Sequence, residues 1–204
     1  MSGLNEWDVV RAGRLVAERV GARALTMRML AVELGVSTMA AYRHVVSKTE
    51  LLALIGDDIL GGVTIPSSDD GEWDVQLEIL ESSAFAQISR VADLWDLLPP
   101  GRTLPAELRL NAVVADILLG AGFEPLSAAW AQEAIFGYVF GQMRLQMRVV
   151  ATGVSDGQPV SQGSMNQAEL EAHFAYGLRI MLAGLRIELE TVTATSSRSA
   201  RLTI

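Results

Sequence analysis

No cysteine occurs in the 204 residues, and the chain has only one lysine and two histidines. Without thiols no disulfide, no thiolate nucleophile and no cysteine-based metal site can form. The histidines are His44 and His173, and no G-x-S-x-G, phosphate-loop or dinucleotide fingerprint accompanies them, so the usual machinery of an enzyme is missing. His173 follows Glu169 by four residues, but two groups on one helix without H-E-x-x-H make a weak metal site. The adjacent pairs Asp57 with Asp58 and Asp69 with Asp70 read as solvated charge, because neighbouring helix positions do not face each other. No catalytic residue, metal or cofactor is expected. Long uncharged apolar runs are also absent: nothing approaches the roughly 18 residues of a membrane span. The first twenty residues mix acidic with apolar side chains and put no basic segment ahead of an apolar one, so no signal peptide is expected. The expectation is a cytoplasmic chain that does not contact a membrane.

What is present is apolar and helical in pattern. Half of the residues are hydrophobic, and the net charge is -8. That charge is unevenly spread: residues 1–50 hold seven Lys or Arg against five Asp or Glu, and the remainder holds nine against nineteen. Such a division suits a chain that meets an anionic partner with one end and keeps the rest soluble. β-Branched runs are too few for a sheet and no repeat is visible, which makes the fold all-α.

The densest pattern runs from Leu25 to Leu52. Thr26 can cap a helix in which Leu30, Ala31 and Leu34 share one face and Arg28 lies on another. Gly35 stands where a helix ends in a left-handed residue. Ser37 can cap a second helix from Thr38 to Val45, with Ala41 and Val45 inward and Thr38, Met39, Tyr42 and Arg43 elsewhere. Ser47-Lys48-Thr49-Glu50 is an S-x-x-E capping box, which starts a third helix carrying Leu51, Leu52 and Ile55 into the core. Two short helices around a tight turn, with hydroxyl, basic and aromatic side chains outward, form the layout of a helix-turn-helix. The only lysine, Lys48, sits in the first turn of the third helix, where the helix dipole disfavours a cation and a phosphate partner would offset it.

This stretch, through Leu25-Thr26, Leu30-Ala31, Leu34-Gly35-Val36-Ser37, Tyr42-Arg43-His44-Val45 and Ser47-Lys48-Thr49-Glu50-Leu51-Leu52, resembles the DNA-binding domain of TetR-type transcriptional regulators without a gap over about residues 5 to 60. Ala41 and Val45 stand where that family usually has a larger aliphatic and a Phe, and Met39-Ala40 replace a Gly or Pro followed by a small hydroxyl residue. The resemblance implies a homodimeric repressor that binds a near-palindromic double-stranded operator and is released by a small-molecule effector. It also implies that the second helix enters the major groove. Arg28 then suits a bidentate contact to guanine, Thr38 a base or a phosphate, and Met39 and Ala40 a thymine methyl. Thr26, Tyr42, His44 and Lys48 would hold phosphates, and Arg43 either. On their own, Tyr42 and His44 read more readily as a half-buried core aromatic and a structural histidine than as binding groups, and the motif at the family spacing reverses that order.

Around this motif a first helix is expected from an Asn5 cap to Gly21, and the third helix ends by Gly61-Gly62. The turn-rich residues 66–71 separate a domain of residues 1–62 from one of residues 72–190. In the second, helices are expected over 72–98, 105–119, 125–150 and 167–190, with a flexible loop at 151–166 and a mobile tail at 191–204. The last two long helices are apolar enough to want partners beyond their own chain, which the resemblance implies are the same helices of a second subunit in a four-helix bundle. Aromatic and Met side chains cluster on them, and a largely apolar effector would be bound by Asn111, Trp130, Phe136, Phe140, Met143, Arg144, Met147, His173 and Phe174, with core and dimer interface as the plainer reading of each. Two other functions fit the sequence less well: an effector-independent architectural DNA-binding protein, against which stands the size of the apolar domain, and an all-α enzyme.

Overall fold

The computed structural model describes the backbone of residues 4–151 and 166–201 and the side chains of 4–145, 166–192 and 194. Among the described residues the fold is all-α, without a strand. The helices are α1 (Glu6–Val20), α2 (Met27–Leu34), α3 (Thr38–Ala41), α4 (Lys48–Gly61), α5 (Trp73–Ile88), α6 (Pro105–Gly120), α7 (Pro125–Ala151) and α8 (Gln167–Arg201), with 3-10 segments at Ser68–Asp70 and Ser89–Leu97. The chain forms two compact units, one of residues 1–63 and 86–110 and the other of residues 64–85 and 111–204. The first unit is therefore not the contiguous block 1–62 that the turn-rich stretch suggests.

In the first unit each helix starts where a side chain can accept a free N–H. Asn5 and Asp8 exchange bonds of 2.9 and 3.1 Å in a capping box at α1. Thr26 caps α2, Ser37 caps α3 and Ser47 caps α4. Gly35 closes α2 at φ 66 and ψ 30, a left-handed conformation costly for residues with a Cβ. Val9, Val16, Leu25, Leu30, Leu51, Ile55 and Ile59 are fully buried together. Each contributes about 2 kcal/mol against about 1 kcal/mol for a cap, so the core decides that the helices pack and the caps decide where they begin.

Outside the motif, two expectations about helix length fail. The helix expected over 72–98 stops at Ile88, and Val91, at φ −136 and ψ 57, breaks the 3-10 segment that follows. Local propensity is overridden here by hydrogen bonds within the unit. The indole Nε1 of Trp95 donates to the Ile88 carbonyl at 3.4 Å, and the Asp93 carboxylate accepts the backbone N–H groups of Ala22 and Arg23 at 3.0 and 2.9 Å. Gly21, at φ 84, brings the loop to that carboxylate: a Cβ added there would lie 3.2 Å from Asp93 Oδ2. At the other end of the chain, α8 continues through the expected tail to Arg201. No Gly or Pro follows Gly184 to stop it, and Thr and Ser cost only a few tenths of a kcal/mol each in a helix. The Thr191 hydroxyl donates back to the Ile187 carbonyl at 2.7 Å. The loop expected at 151–166 lies outside the described residues except at its two ends.

In the second unit α7 and α8 pack together, and α8 is tied to α5 by two ion pairs. Arg186 reaches Asp74 at 2.5 Å and Arg179 reaches Glu78 at 3.2 Å. The Arg186 hydrogen bond holds Asp74 below the usual carboxylate range. Arg186 also lies over the Trp73 ring, which meets Phe123 edge-on at 5.4 Å. Deeper in the unit, Phe85 stacks on Phe174 with centroids 4.0 Å apart, and Tyr138 lies against Phe174 at 5.3 Å while its hydroxyl donates to the Phe174 carbonyl. Glu81, one turn before Phe85, is the one charged residue buried among the described residues, and burial pushes its carboxyl up to about 7.

Two stability effects follow from this packing. Asp93→Ala removes the carboxyl acceptor of two N–H groups and is expected to cost about 3 kcal/mol in urea denaturation, with Asp93→Asn intermediate. A cost within about 0.5 kcal/mol, typical of an inert surface change, would contradict the role given to this carboxylate. For Glu81 the folded value lies above the ordinary 4.5. The folded chain therefore holds more protons than the unfolded one between pH 4.5 and about 7, and its stability falls as pH rises through that window. The loss should be on the order of 3 kcal/mol and should vanish in Glu81→Gln, as denaturation at a series of pH values will report.

Candidate nucleic-acid interface

The helix-turn-helix is α2, the turn at Gly35 to Ser37, and α3. Thr26 Oγ1 accepts the Met29 N–H at 3.2 Å and Ser37 Oγ accepts the Ala40 N–H at 3.2 Å, so each helix begins at its cap. The second helix is shorter than its expected span of Thr38 to Val45. Its α-helical part ends at Ala41, and tighter bonds carry the chain on, from the N–H of Arg43 to the Ala40 carbonyl and from that of His44 to the Ala41 carbonyl. The tightening has a cause further along. Val45 is fully buried, and Ser47 must be extended, at φ −155 and ψ 162, to cap α4. The capping box of α4 is also shifted: Ser47 Oγ accepts the Glu50 N–H, but the Glu50 carboxylate accepts the N–H of Val46, at 2.6 Å, instead of that of Ser47.

This frame sorts the predicted contact residues. Thr26, Arg28, Met39, Tyr42 and Arg43 are exposed, and Thr38, Ala40, His44 and Lys48 are half-buried. Ala41 is buried behind them, so the outward side chains of α3 are held by an inward anchor. Some basic side chains of the unit are engaged and others are not, Arg11 of α1 being exposed without a side-chain partner among the described residues. Arg14 of α1 is engaged by Glu18, Asp58 and Gln87, and Arg19 by Glu33. Arg28 and Arg43 form no ion pair or side-chain hydrogen bond among the described residues, and both guanidinium groups face solvent. Lys48 differs from them: its Nζ donates to the Arg23 carbonyl at 2.8 Å. One of the ammonium protons thus fixes the α1–α2 loop, which relieves an unfavourable place in the first helical turn and leaves two protons outward. Sequence reasoning gave no role to Val32 and Val46, which are 75% and 79% exposed. Val32 lies one turn after Arg28 on the same face of α2, and its signal is an apolar residue out of register with Leu30, Ala31 and Leu34.

In the second unit the predicted ligand residues do not form one group. Met143 and Phe174 are buried, Phe140 is half-buried with its ring 4.3 Å from that of Phe136, and Asn111 is half-buried with its carbonyl accepting Gln132 Nε2 at 3.1 Å. Trp130, Phe136, Arg144 and His173 are exposed, and the side chain of Met147 lies outside the described residues. Glu169, near His173, is occupied as a cap, since it accepts the Asn166 N–H at the start of α8. Sequence reasoning missed Phe85 and Glu81. The second had a visible signal, for it lies on the apolar rhythm of Leu77, Ala84 and Ile88. An open cleft of about 740 Å³, lined by Ile65, Trp73, Gln76, Asp116 and Ile117 among others, contains none of the predicted ligand residues.

Comparison with known proteins agrees with the motif. Residues 9–55 match the family described as bacterial regulatory proteins, tetR family. The chain is 31% identical over 141 residues to the HTH-type transcriptional repressor DrrR1 of Streptomyces coeruleorubidus, covering 68% of this chain but only about half, 52%, of that protein. It is 27% identical over 209 aligned positions to the tetracycline repressor protein class G of Vibrio anguillarum, covering 96% of this chain and 100% of that one. Among solved structures, the TetR family protein ActR of Streptomyces coelicolor in complex with actinorhodin superposes with a TM-score of 0.68 at 22% identity, covering 92% of this chain and 99% of that one. BioQ with its double-stranded DNA operator gives 0.64 at 24%, with 90% and 98% covered. At such identities the structural likeness is one of fold. Motif, relatives and fold agree, and the chain belongs to the TetR family of bacterial regulatory proteins.

Proposed function

We propose that the protein is a homodimeric, sequence-specific DNA-binding repressor, released from a near-palindromic operator by a small, largely apolar molecule. The observation that carries this reading is the set of outward side chains on one helix-turn-helix, Arg28, Thr38, Met39, Tyr42 and Arg43, with both guanidinium groups unengaged among the described residues. Arg28 reads a guanine edge, Met39 and Ala40 a thymine methyl, and Thr38 a base or phosphate. Thr26, Tyr42, His44 and Lys48 fix the register on phosphates, with Arg43 in either role. The relatives named as repressors, and a fold neighbour solved on its operator, support this reading.

Dimerisation is supported by apolar surface that a single chain leaves bare. On α8, Tyr176, Ile180 and Ile187 fall on one stripe and are 63%, 58% and 65% exposed. On α7, Leu126 and Trp130 are similarly exposed, in line with Gly137 and Gly141, beside which nothing lies within 4 Å of an added Cβ. Small residues between large ones let a second pair of helices approach closely, as in a four-helix bundle. Two heads then meet successive major grooves about 34–36 Å apart, and an effector that prefers another head spacing weakens the complex. The fold neighbour bound to actinorhodin supports a ligand-holding helical unit.

Selection of duplexes from a random pool, followed by salt titration on the winner, tests the reading. A near-palindrome with half-sites about one helical turn apart is expected, and a folded dimer that enriches no sequence would end the proposal. On the selected site Arg28→Ala should lose about 1–3 kcal/mol more than on random DNA, whereas Lys48→Ala should weaken both alike and reduce the salt slope by about 1. Equal losses for Arg28→Ala on both DNAs would remove it from base reading. Ile180→Asp should sediment as a helical monomer and lose affinity for the paired half-sites; a dimer that persists would move the interface away from this stripe.

A further inference from the structure

Helix α5 carries three acidic residues along one side, Asp74, Glu78 and Glu81, spaced by four and three positions. The first two have partners on α8, Arg186 for Asp74 and Arg179 for Glu78. The third has none. Glu81 is 7% exposed and has no hydrogen bond or ion pair among the described residues. Its neighbours on α5, Leu77, Ala84 and Phe85, are buried and apolar. Residues four apart on a helix share a face, so Glu81 looks the same way as Phe85, whose ring meets Phe174 of α8, itself in contact with Tyr138 of α7. The carboxyl therefore lies on the buried side of α5 that Phe85 shares, one turn from a stack of three rings.

A lone buried carboxyl is costly in both forms. Ionised, it lacks a counter-charge, and protonated, its hydroxyl lacks an acceptor. The upward displacement of its pKa by burial agrees with that lack of a partner. A ligand with an ammonium group supplies what is missing, since it pairs with the carboxylate and its N–H groups fill the acceptor sites. The rings beside it favour the same ligand, because aromatic faces attract a desolvated cation and flat apolar surfaces stack on them.

We propose that Glu81 is the recognition group of the effector site, and that the effector is an aliphatic amine bearing an aromatic ring system and held as its cation, with the ammonium on Glu81 and the ring system against Phe85, Phe174 and Tyr138. This rests on the effector-released repressor reading and names the chemistry of its ligand. Affinity in such a site depends on charge first: a neutral molecule of the same shape leaves the carboxyl unpaired.

The test uses the full chain without DNA. Benzylammonium, naphthylmethylammonium and anthracenylmethylammonium, each matched with its neutral alcohol, are titrated by calorimetry at about pH 8, where Glu81 is ionised. At least one cation should bind about ten-fold or more tighter than its alcohol, and Glu81→Gln should abolish that preference. Glu81→Leu, which replaces an unpaired acid with an apolar side chain, should raise the Tm. Failure of all three cations to bind, a preference that survives in Glu81→Gln, or a lower Tm for Glu81→Leu would each overturn the assignment. Release is then scored separately on the operator complex. Cations that bind as described but leave the complex intact uphold the site and defeat the release reading. A neutral compound that releases the operator, with no cation bound, leaves that reading standing and defeats the site.

Discussion

A four-residue helix cannot hold itself together in water, because forming the first turn fixes several dihedral angles in return for very few hydrogen bonds. Helix α3 exists because its surroundings hold it. Ser37 accepts the free N–H of Ala40, while Ala41 and Val45 anchor the inner side of the helix, and the capped start of α4 fixes where the chain must leave. Behind these lies a second layer. The α1–α2 loop is gripped on one side by Asp93 through two N–H groups and on the other by Lys48 through the Arg23 carbonyl. The outward side chains of α3 are positioned by a framework that does not itself need to touch a ligand, which separates stability from recognition within a few ångströms.

Much of this framework was legible in the sequence because its signals are local. Thr26, Gly35, Ser37 and Ser47 act within three or four residues of themselves, and the structure finds each at a helix boundary. What the sequence hid depends on distant partners. No local pattern announces that Asp93 will accept from residues about seventy positions earlier, or that this bond and the Trp95 indole will accompany a break after Ile88. The second helix of the motif reads as two turns in the sequence because the pull of buried Val45 against extended Ser47 is a tertiary effect. The overlong α8 has the opposite cause, since a β-branched, hydroxyl-rich run reads as weak helix while lacking any residue that would end one. Site residues followed the same rule: exposure of Arg28 and Met39 follows from helical periodicity, whereas the Phe85, Phe174 and Tyr138 stack joins three distant helices.

Charge is organised to match. Two of the three cations on α1, Arg14 and Arg19, pair with acids of their own unit, whereas Arg11, Arg28 of α2 and Arg43 just after α3 are left to solvent. On α5 the acids are paired with α8 in turn until Glu81. On α5 the unpaired group stands out because the other acids of the helix are satisfied, and an unpaired charge among paired ones marks where a partner from outside is most easily accepted.

The division of the chain into units has a consequence for how such a protein can be rearranged. The amino-terminal unit is completed by residues 86–110, which bring Val91, Leu94 and Asp93 to helices formed by the first sixty residues. A genetic exchange that cut after residue 63 would carry away the motif but leave behind part of its core and the acceptor for its first loop. The head is thus not a detachable cassette. New pairings of the first unit with a different second unit must arise by substitution within the chain, or by grafting that transfers both segments together.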